Sequence, residues 1–188
     1  MKVNKDFKIK GLIEFLPSVF KDERGEFIET YNVNAFKIAG LPDTFVQDNQ
    51  SVSHKNVFRG IHLQMGSSSQ GKLVRVSKGS VIDYAIDLRQ DSPTFGKWES
   101  ILLTAEKGNQ FWVPAGFGHA FQSLEDDTIF CYKCTNVYDK ASEVCILWSD
   151  EDINLTVDSP SKIQVSAKDE EGITLLEFSN KYLYNQIS

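Results

Sequence analysis

Cysteine is scarce in this chain, which contains only Cys131, Cys134 and Cys145 among its 188 residues. A small, odd number of cysteines argues against a disulfide framework and is typical of the reducing cytoplasm. Cys131 and Cys134 have the spacing of a zinc or redox pair, but strand residues three apart point to opposite faces. We therefore predict that both are small, buried strand residues.

Long apolar runs are also missing. No segment approaches the roughly 18 apolar residues that a membrane-spanning helix requires. The first residues, MKVNKDFKIKGLIEF, lack the continuous apolar stretch of a secretion signal. Positive charge is in deficit as well, since the net charge is −6, whereas a free-standing nucleic-acid-binding protein is usually basic. These absences predict a cytoplasmic protein that binds neither membranes nor nucleic acids.

Several common catalytic motifs do not occur in the sequence. There is no GxGxxG fingerprint, no P-loop GxxxxGK[ST] and no HExxH. The nucleophile elbow GxSxG is absent too. The absence of these motifs argues against the commonest dinucleotide-binding enzymes, NTPases, zinc proteases and serine hydrolases.

Alternating apolar residues and frequent turn signals are present instead. In residues 80–88 (SVIDYAIDL), large apolar side chains alternate with Asp83, Ala85 and Asp87, which is the period of a half-buried strand. Further strand-like runs cover 72–76, 98–105, 110–114 and 127–135. Short strands every 8–12 residues indicate a closed antiparallel barrel or jelly roll. We predict one mainly β domain over residues 1–188, with short helices at 32–40, ending at Gly40, and beyond about Lys168.

Few polar side chains in the sequence stand out as candidates for catalysis. Of three histidines, His62 follows an arginine in RGIHLQ, and His119 lies in the Pro/Gly-punctuated VPAGFGHAF. Lys72 lies between them, and Tyr132 follows later. Taken singly, each has a structural interpretation, because a lone histidine beside apolar residues is more often structural and a strand tyrosine usually belongs to the core.

Five longer segments occur in order along the chain: FKDERGEFIETY, FVQDNQSVSHKNVFRGIHLQ, QGKLVRVSKGSVIDYAIDLRQDSPTFGKW, QFWVPAGFGHAF and YKCTNVY…EVCILWSDE. Together they resemble the dTDP-4-dehydrorhamnose 3,5-epimerase family, which has the cupin fold. The resemblance extends from about Phe20 to about Asp169. The implied fold is a cupin-type antiparallel jelly roll, and the implied assembly is a homodimer.

The resemblance also implies roles for individual residues. His62 would be the base, oriented by Asp169, and Tyr132 would be the acid on the opposite sugar face. Lys72 would stabilise an enolate at the sugar. The positions that match the family's binding residues are Arg24, Glu29, Gln47, Asn49, Arg59, His119, Tyr138, Glu143 and Lys168. Tyr138 would stack on the base. One departure is visible, since Ala120 replaces the glycine that often follows the loop histidine.

The implied substrate is a nucleoside-diphosphate 4-keto-6-deoxy sugar, linked to dTDP. Its ketone acidifies the protons on C3 and C5, and inversion requires proton removal from one face and proton return to the other. Histidine suits the base because it titrates near neutral pH, and a carboxylate on its far nitrogen fixes the tautomer. The reaction contains no redox step, so no nicotinamide cofactor is expected.

We also predict that the site contains no metal. Many cupins bind a metal through a closely spaced histidine pair, a carboxylate and a later histidine. Here IHLQ supplies only His62, and His54 lies eight residues earlier in another segment. Two usable histidines without a paired spacing make a poor metal site.

Three alternatives remain at this stage. The enzyme could invert only C3 or only C5, or could be a ketoisomerase acting on a related nucleotide sugar. A rival of another class is a non-catalytic sugar-binding cupin. Proton exchange between substrate and solvent distinguishes an enzyme from a binding module.

Overall fold

The computed structural model describes residues 1–184 and consists mainly of antiparallel strands. The strands are β1 (Lys2–Asn4), β2 (Ile13–Leu16), β3 (Val19–Asp22), β4 (Gly25–Ile28), β5 (Gln47–Ser53), β6 (Phe58–Gln64), β7 (Lys72–Lys78), β8 (Ser80–Asp87), β9 (Trp98–Thr104), β10 (Gln110–Val113), β11 (Phe117–Ser123), β12 (Thr128–Cys134) and β13 (Glu143–Cys145). The helices are α1 (Val33–Ala39), α2 (Ala167–Glu170) and α3 (Leu175–Phe178), and α3 continues as a π-helix over Ser179–Tyr184. Short 3₁₀ turns cover Gly66–Ser68 and Pro160–Lys162.

Two sheets form the body of the fold. One has six strands in the order β1-β2-β10-β7-β12-β5, and the other has five in the order β13-β6-β11-β8-β9. Between them lies a cluster of apolar side chains, including Val74, Ala85, Phe111 and Phe130. The predicted antiparallel jelly roll is therefore confirmed. A separate hairpin, β3–β4, is paired with no strand of either sheet within residues 1–184.

Helix α1 begins and ends as its sequence predicts. The Asn32 side chain accepts hydrogen bonds from the backbone N–H groups of Asn34 and Ala35, which satisfies donors that the first turn leaves unpaired. Gly40 ends the helix with a φ of 100°, a left-handed conformation that glycine adopts readily. The helix buries Phe36 against Phe15 on the outer face of the six-stranded sheet.

The C-terminal segment covers the outer face of the other sheet. Leu175 and Phe178 of α3 pack in one cluster with Tyr84 and Ile86 of β8. Helix α3 begins with a capping box, in which the side chains of Thr174 and Glu177 bind each other's backbone N–H groups. The helix predicted beyond about Lys168 is thus present as α3 and its π-helical continuation, whereas α2 begins just before Lys168 and is only about a turn long. Within residues 1–184, no helix is both long and apolar enough to cross a membrane.

The prediction that β8 is half-buried is wrong. Asp83, Ala85 and Asp87 are as inaccessible as Tyr84 and Ile86, each being 0 or 1% exposed. The apolar side faces the C-terminal segment, while Asp83 and Ala85 face the interior between the two sheets. Both faces of β8 are therefore covered by other parts of the protein. The alternation of apolar and acidic residues separates two buried environments, and neither face is exposed to solvent.

The cysteines lie as the strand geometry predicts. In the described chain all three are free thiols, and Cys131 and Cys134 are buried. Cys131 Sγ lies 3.6 Å from Ser77 Oγ, whereas Cys134 Sγ lies 3.7 Å from Asn49 Nδ2. The two sulfurs therefore have different surroundings on opposite faces of β12.

Candidate active site

A cavity of about 320 Å³ opens between the two sheets. It is lined by Ser51, Arg59, His62, Lys72, His119, Phe121, Phe130, Tyr132, Ser166, Lys168 and Asp169. All four residues predicted for proton transfer and enolate stabilisation are in this set. Three described grooves are larger, at about 560, 740 and 390 Å³. The first two are lined by none of the predicted site residues, and the third, on the β3–β4 hairpin, is lined by one of them, Arg24.

His62 and Asp169 form a hydrogen-bonded pair on one wall of this cavity. His62 Nε2 lies 2.5 Å from Asp169 Oδ1, although the two residues are 107 positions apart. Helix α2 positions the carboxylate, because the Ser166 side chain accepts from the Asp169 backbone N–H at its N-terminus. With Nε2 engaged by the carboxylate, Nδ1 is the nitrogen that remains to accept a proton.

The surroundings of Asp169 keep it ionised. Burial raises the pKa of this carboxyl, but hydrogen bonds from His62 and Ser166 more than offset burial, so the pKa lies below its usual value. The Ser166 hydroxyl donates to Asp169 Oδ2 at 2.9 Å. A buried carboxylate that stays charged can hold the imidazole ring and stabilise its protonated form.

A second histidine–carboxylate pair lies in the same cavity. His119 Nε2 is 2.9 Å from Asp83 Oδ2 and 3.1 Å from Oδ1. His119 of β11 is directly opposite His62 in the register with β6. Burial raises the pKa of Asp83, and His119 and Lys72 partly counteract this effect. Sequence reasoning missed Asp83 because its alternation in β8 resembled that of a solvent-facing residue.

Ala120, the departure noted in the sequence, is fully buried beside Gly60. A Cβ on Gly60 would come within 2.3 Å of the Ala120 Cβ, so only glycine at position 60 leaves room for this alanine. The extra methyl of Ala120 is therefore accommodated by the facing strand, and His119 still reaches Asp83.

Tyr132 approaches the cavity from the sheet opposite His62. It lies on β12 of the six-stranded sheet, whereas His62 lies on β6 of the five-stranded sheet. Burial raises the pKa of Tyr132, so its hydroxyl keeps its proton at neutral pH. The cavity therefore has an imidazole on one wall and an O–H donor on another.

Lys72 begins β7 in the same sheet as Tyr132. Burial lowers the pKa of its ammonium, against the opposing attraction of Cys134, Asp83 and Glu143. A partly desolvated cation is well suited to stabilise an anion that forms beside it, because less water screens their attraction.

Several predicted binding residues form a hydrogen-bonded chain beside the cavity. Glu143 joins two of them, accepting from the Tyr138 hydroxyl at 2.9 Å and pairing with Lys168 Nζ at 2.6 Å. The Gln47 side chain accepts from the Tyr138 backbone N–H at 2.7 Å and donates to Asn49 at 3.1 Å. These five residues from four chain segments are thus brought together.

Two predicted residues lie neither in the lining of the cavity nor in the hydrogen-bonded chain beside it. Arg24 lies on the β3–β4 hairpin and pairs with Asp22 at 2.6 Å, and Glu29 accepts a hydrogen bond from Asn32. Neither belongs to the described lining of the cavity. The same hairpin exposes Phe20 and Phe27, which are 63% and 66% accessible.

The three potential metal donors near the cavity do not suit a metal well. One donor atom each from His62, Cys145 and Asp169 lies within 4.8 Å of the others. Two of these atoms already share a hydrogen bond at 2.5 Å. Burial, followed by the negative charge of Asp169, raises the pKa of Cys145 to about 12. Zinc binds the thiolate, so a thiol that holds its proton this strongly is a poor ligand.

The jelly-roll cavity thus has a hydrogen-bonded histidine–carboxylate pair on one wall and a protonated tyrosine on the other. Residues 6–177 match the family model described as dTDP-4-dehydrorhamnose 3,5-epimerase. The chain therefore belongs to the dTDP-4-dehydrorhamnose 3,5-epimerase family, as the sequence resemblance predicts.

Individual relatives agree with this assignment. The chain is 49% identical over 154 residues to dTDP-4-dehydrorhamnose 3,5-epimerase of Salmonella typhimurium, covering 81% of this chain and 84% of that protein. The crystal structure of the Legionella pneumophila dTDP-6-deoxy-D-glucose-3,5-epimerase, in complex with dTDP-4-keto-L-rhamnose, superimposes with a TM-score of 0.88. It is 39% identical, and the match covers 93% of this chain and 94% of that one. A dTDP-4-dehydrorhamnose 3-epimerase of Streptomyces niveus is 34% identical over 171 residues, which are 90% of this chain and 82% of that protein.

Proposed function

We propose that this protein is a dTDP-4-dehydrorhamnose 3,5-epimerase, which converts dTDP-4-dehydro-6-deoxy-D-glucose into dTDP-4-dehydro-L-rhamnose. The observation that carries the proposal is the pair formed by His62 of one sheet and Asp169 of α2, which lines a cavity that Tyr132 lines from the other sheet. Family membership supports the same activity, and so does the keto sugar bound by the Legionella relative.

In the proposed mechanism, His62 Nδ1 removes a proton from the carbon next to the ketone. The electrons of the broken C–H bond form a C=C bond, and those of the C=O bond move onto O4. Asp169 stabilises the imidazolium and Lys72 stabilises the enolate oxygen. Loss of one such oxyanion-stabilising donor costs on the order of 3–4 kcal/mol in other enzymes.

The second half of each inversion returns a proton from the opposite face. Tyr132 donates its hydroxyl proton to the carbon, and the electrons on O4 re-form the ketone. Solvent then reprotonates the tyrosinate and removes the proton from His62. Inversion at C3 and at C5 uses the same two groups, since both carbons flank the same ketone. His119, held by Asp83, contacts the sugar in this arrangement.

The nucleotide lies along the chain of binding residues in this proposal. Tyr138 stacks on the base, and Arg59 binds the diphosphate, since an acidic protein must group its cations for a polyanion. The residues that complete this subsite are Gln47, Asn49, Glu143 and Lys168. Cytoplasmic location and the absence of a cofactor are parts of the same proposal.

A homodimer would bring the remaining predicted residues to the site. The β3–β4 hairpin carries Arg24 together with two exposed phenylalanines, and apolar patches of this kind are typical of protein interfaces. In the proposed assembly, the hairpin of one subunit packs on its partner and delivers Arg24 to the partner's cavity. Each active site then contains residues of both subunits.

Incubation of the protein with dTDP-4-keto-6-deoxyglucose in D₂O tests the proposal. We expect one solvent deuterium at C3 and one at C5, with inversion at both carbons, as measured by mass spectrometry and NMR. Deuterium at C3 alone would indicate a single epimerase, an alternative that the 34% identity to the Streptomyces niveus 3-epimerase keeps open. Absence of exchange at both carbons would indicate a binding protein.

A further inference from the structure

Cys145 contacts the pair that the proposed function uses for proton removal. It lies on β13 directly opposite His62 of β6. Its sulfur is 3.6 Å from Asp169 Oδ1, the same oxygen that accepts from His62 Nε2. Since Ser166 binds Oδ2, the carboxylate is contacted by three side-chain donors.

The direction of the Cys145 contact follows from the state of the two groups. Asp169 is ionised and can only accept a hydrogen bond. Burial, together with the Asp169 charge, keeps the Cys145 sulfur protonated. Two acceptors are within reach of the thiol, Asp169 Oδ1 at 3.6 Å and the Ile146 carbonyl oxygen at 3.9 Å. Because the carboxylate is both nearer and charged, the thiol donates to Asp169.

We infer that Cys145 is a positioning residue for the His62–Asp169 pair, whose S–H holds the carboxylate and limits its attraction for the His62 ring. The inference rests on the proposed function. A carboxylate that shares its charge with more donors binds an imidazolium less tightly. Cys145 would thus keep His62 a weaker base than Asp169 and Ser166 alone would make it.

Other charged groups also face His62, and substitution of Cys145 leaves their side chains in place. Glu143 lies two residues earlier on β13 and is paired with Lys168 of α2 at 2.6 Å. His119 faces His62 from β11 and is paired with Asp83. Lys72 lines the same cavity from the other sheet. A change in His62 titration on replacing Cys145 therefore reports the thiol contact.

NMR titration of the His62 imidazole tests the inference directly. The resonance is assigned by its loss in His62→Asn, since the chain has only three histidines. In Cys145→Ala, we expect the His62 midpoint to rise by roughly half a pH unit, because a thiol is a weak donor. In Cys145→Ser, the hydroxyl restores a donor, and the midpoint should lie at or below that of the wild type. Cys131→Ala removes a buried thiol elsewhere and should leave the midpoint unchanged.

The kinetic consequence should depend on pH. Below the midpoint, kcat/KM of Cys145→Ala should fall roughly threefold, in proportion to the unprotonated histidine, and it should converge with the wild type at high pH. A purely structural role would lower kcat/KM equally at all pH values.

An unchanged His62 midpoint in folded Cys145→Ala would overturn the inference, and so would an equal shift in Cys131→Ala or an equal rise in Cys145→Ser. The titration requires no turnover. Absence of deuterium exchange by the wild type would therefore contradict the proposed function without deciding the role of Cys145.

Discussion

Asp169 determines which nitrogen of His62 is available to a substrate, because it occupies Nε2 at 2.5 Å. His62→Ala should lower kcat by at least about 10²-fold, the lower end of the contribution of general base catalysis. Asp169→Asn should lower kcat by roughly 10²- to 10⁴-fold, since the amide cannot stabilise the imidazolium by charge. Rates are measured by NMR, with dTDP affinity as the control for folding. A folded His62→Ala protein with near-normal turnover would remove His62 from the base role.

Tyr132→Phe separates the two halves of each inversion. The substitution removes the acid but keeps the ring, so His62 should still deprotonate the sugar. We expect exchange with retained configuration in D₂O to outlast net epimerisation, which should fall by about 10²-fold or more. Mass spectrometry measures the exchange and NMR the configuration. Double inversion at the wild-type rate would show that Tyr132 is not the acid.

The residues of the cavity differ in how far the sequence could reveal them. His62, Lys72, Tyr132 and Asp169 were identified through the family resemblance, and no single spacing would have grouped residues so far apart. Asp83 was missed because its burial depends on which elements cover β8, and that is a tertiary property. The contact of Cys145 with Asp169 depends on the pairing of β13 with β6, which sequence alternation does not specify.

At the scale of elements, β8 shows how alternation can mislead. The period of two correctly predicted a strand, because large apolar residues alternate with small or acidic ones. It did not reveal that the acidic residues are buried as well. Inside the fold such residues require partners, and Asp83 and Asp87 both have them.

The loop after β8 is closed by Asp87, which is fully buried and binds Arg89, Ser92 and Thr94. Burial raises the pKa of Asp87, but Arg89 and the two hydroxyls outweigh it, so the pKa falls to about 2. Because the folded-state pKa is below that of the unfolded chain, the stabilisation is complete above about pH 4. It should be lost as pH falls towards 2, by about 2 kcal/mol.

Urea unfolding at pH 7, 4 and 2.5 measures this effect. Asp87→Asn should reduce the free energy of unfolding at pH 7 by about 2 kcal/mol and weaken its dependence on pH between 4 and 2.5. Asp91→Asn, in the same loop but exposed, is the matched control and should resemble the wild type. Equal losses in the two variants would contradict a specific role for Asp87.

In the proposed dimer, the β3–β4 hairpin should contribute to nucleotide binding. Arg59→Ala and Arg24→Ala should each weaken dTDP binding by roughly 10- to 100-fold, the cost of one charge-assisted hydrogen bond or two. Phe27→Asp should weaken both dimerisation and dTDP binding, whereas Arg24→Ala should leave the dimer intact. Calorimetry and analytical ultracentrifugation measure the two properties. Normal dTDP affinity in both arginine variants would refute the proposed diphosphate contacts.

For the molecule as a whole, we predict that activity requires no metal ion. Two of the three candidate donors near the cavity are hydrogen-bonded to each other, and the third holds its proton. Extensive EDTA treatment, verified by elemental analysis, should leave the epimerisation rate unchanged. Loss of activity that one divalent ion restores would mean that these donors bind a metal after all.

The overall architecture was predictable to the level of class. Turn residues between short apolar runs predicted antiparallel strands, and Gly40 marked the end of α1. The order of strands in the two sheets was not predictable, because neighbours such as β12 and β5 pair across long stretches of sequence. The sequence also did not reveal that the C-terminal segment covers β8, because that contact likewise joins distant parts of the chain.

Helix α2 and the segment that follows it have a consequence for how the protein becomes active during synthesis. Asp169 is translated 107 residues after His62, and α3 then covers Tyr84 and Ile86. A ribosome-bound chain that already contains His62, Lys72 and Tyr132 thus lacks both the partner of its base and part of its apolar cover. Both are supplied only when the segment through α3 has been made, so chains that terminate before Asp169 should be inactive and targets for chaperones and proteases.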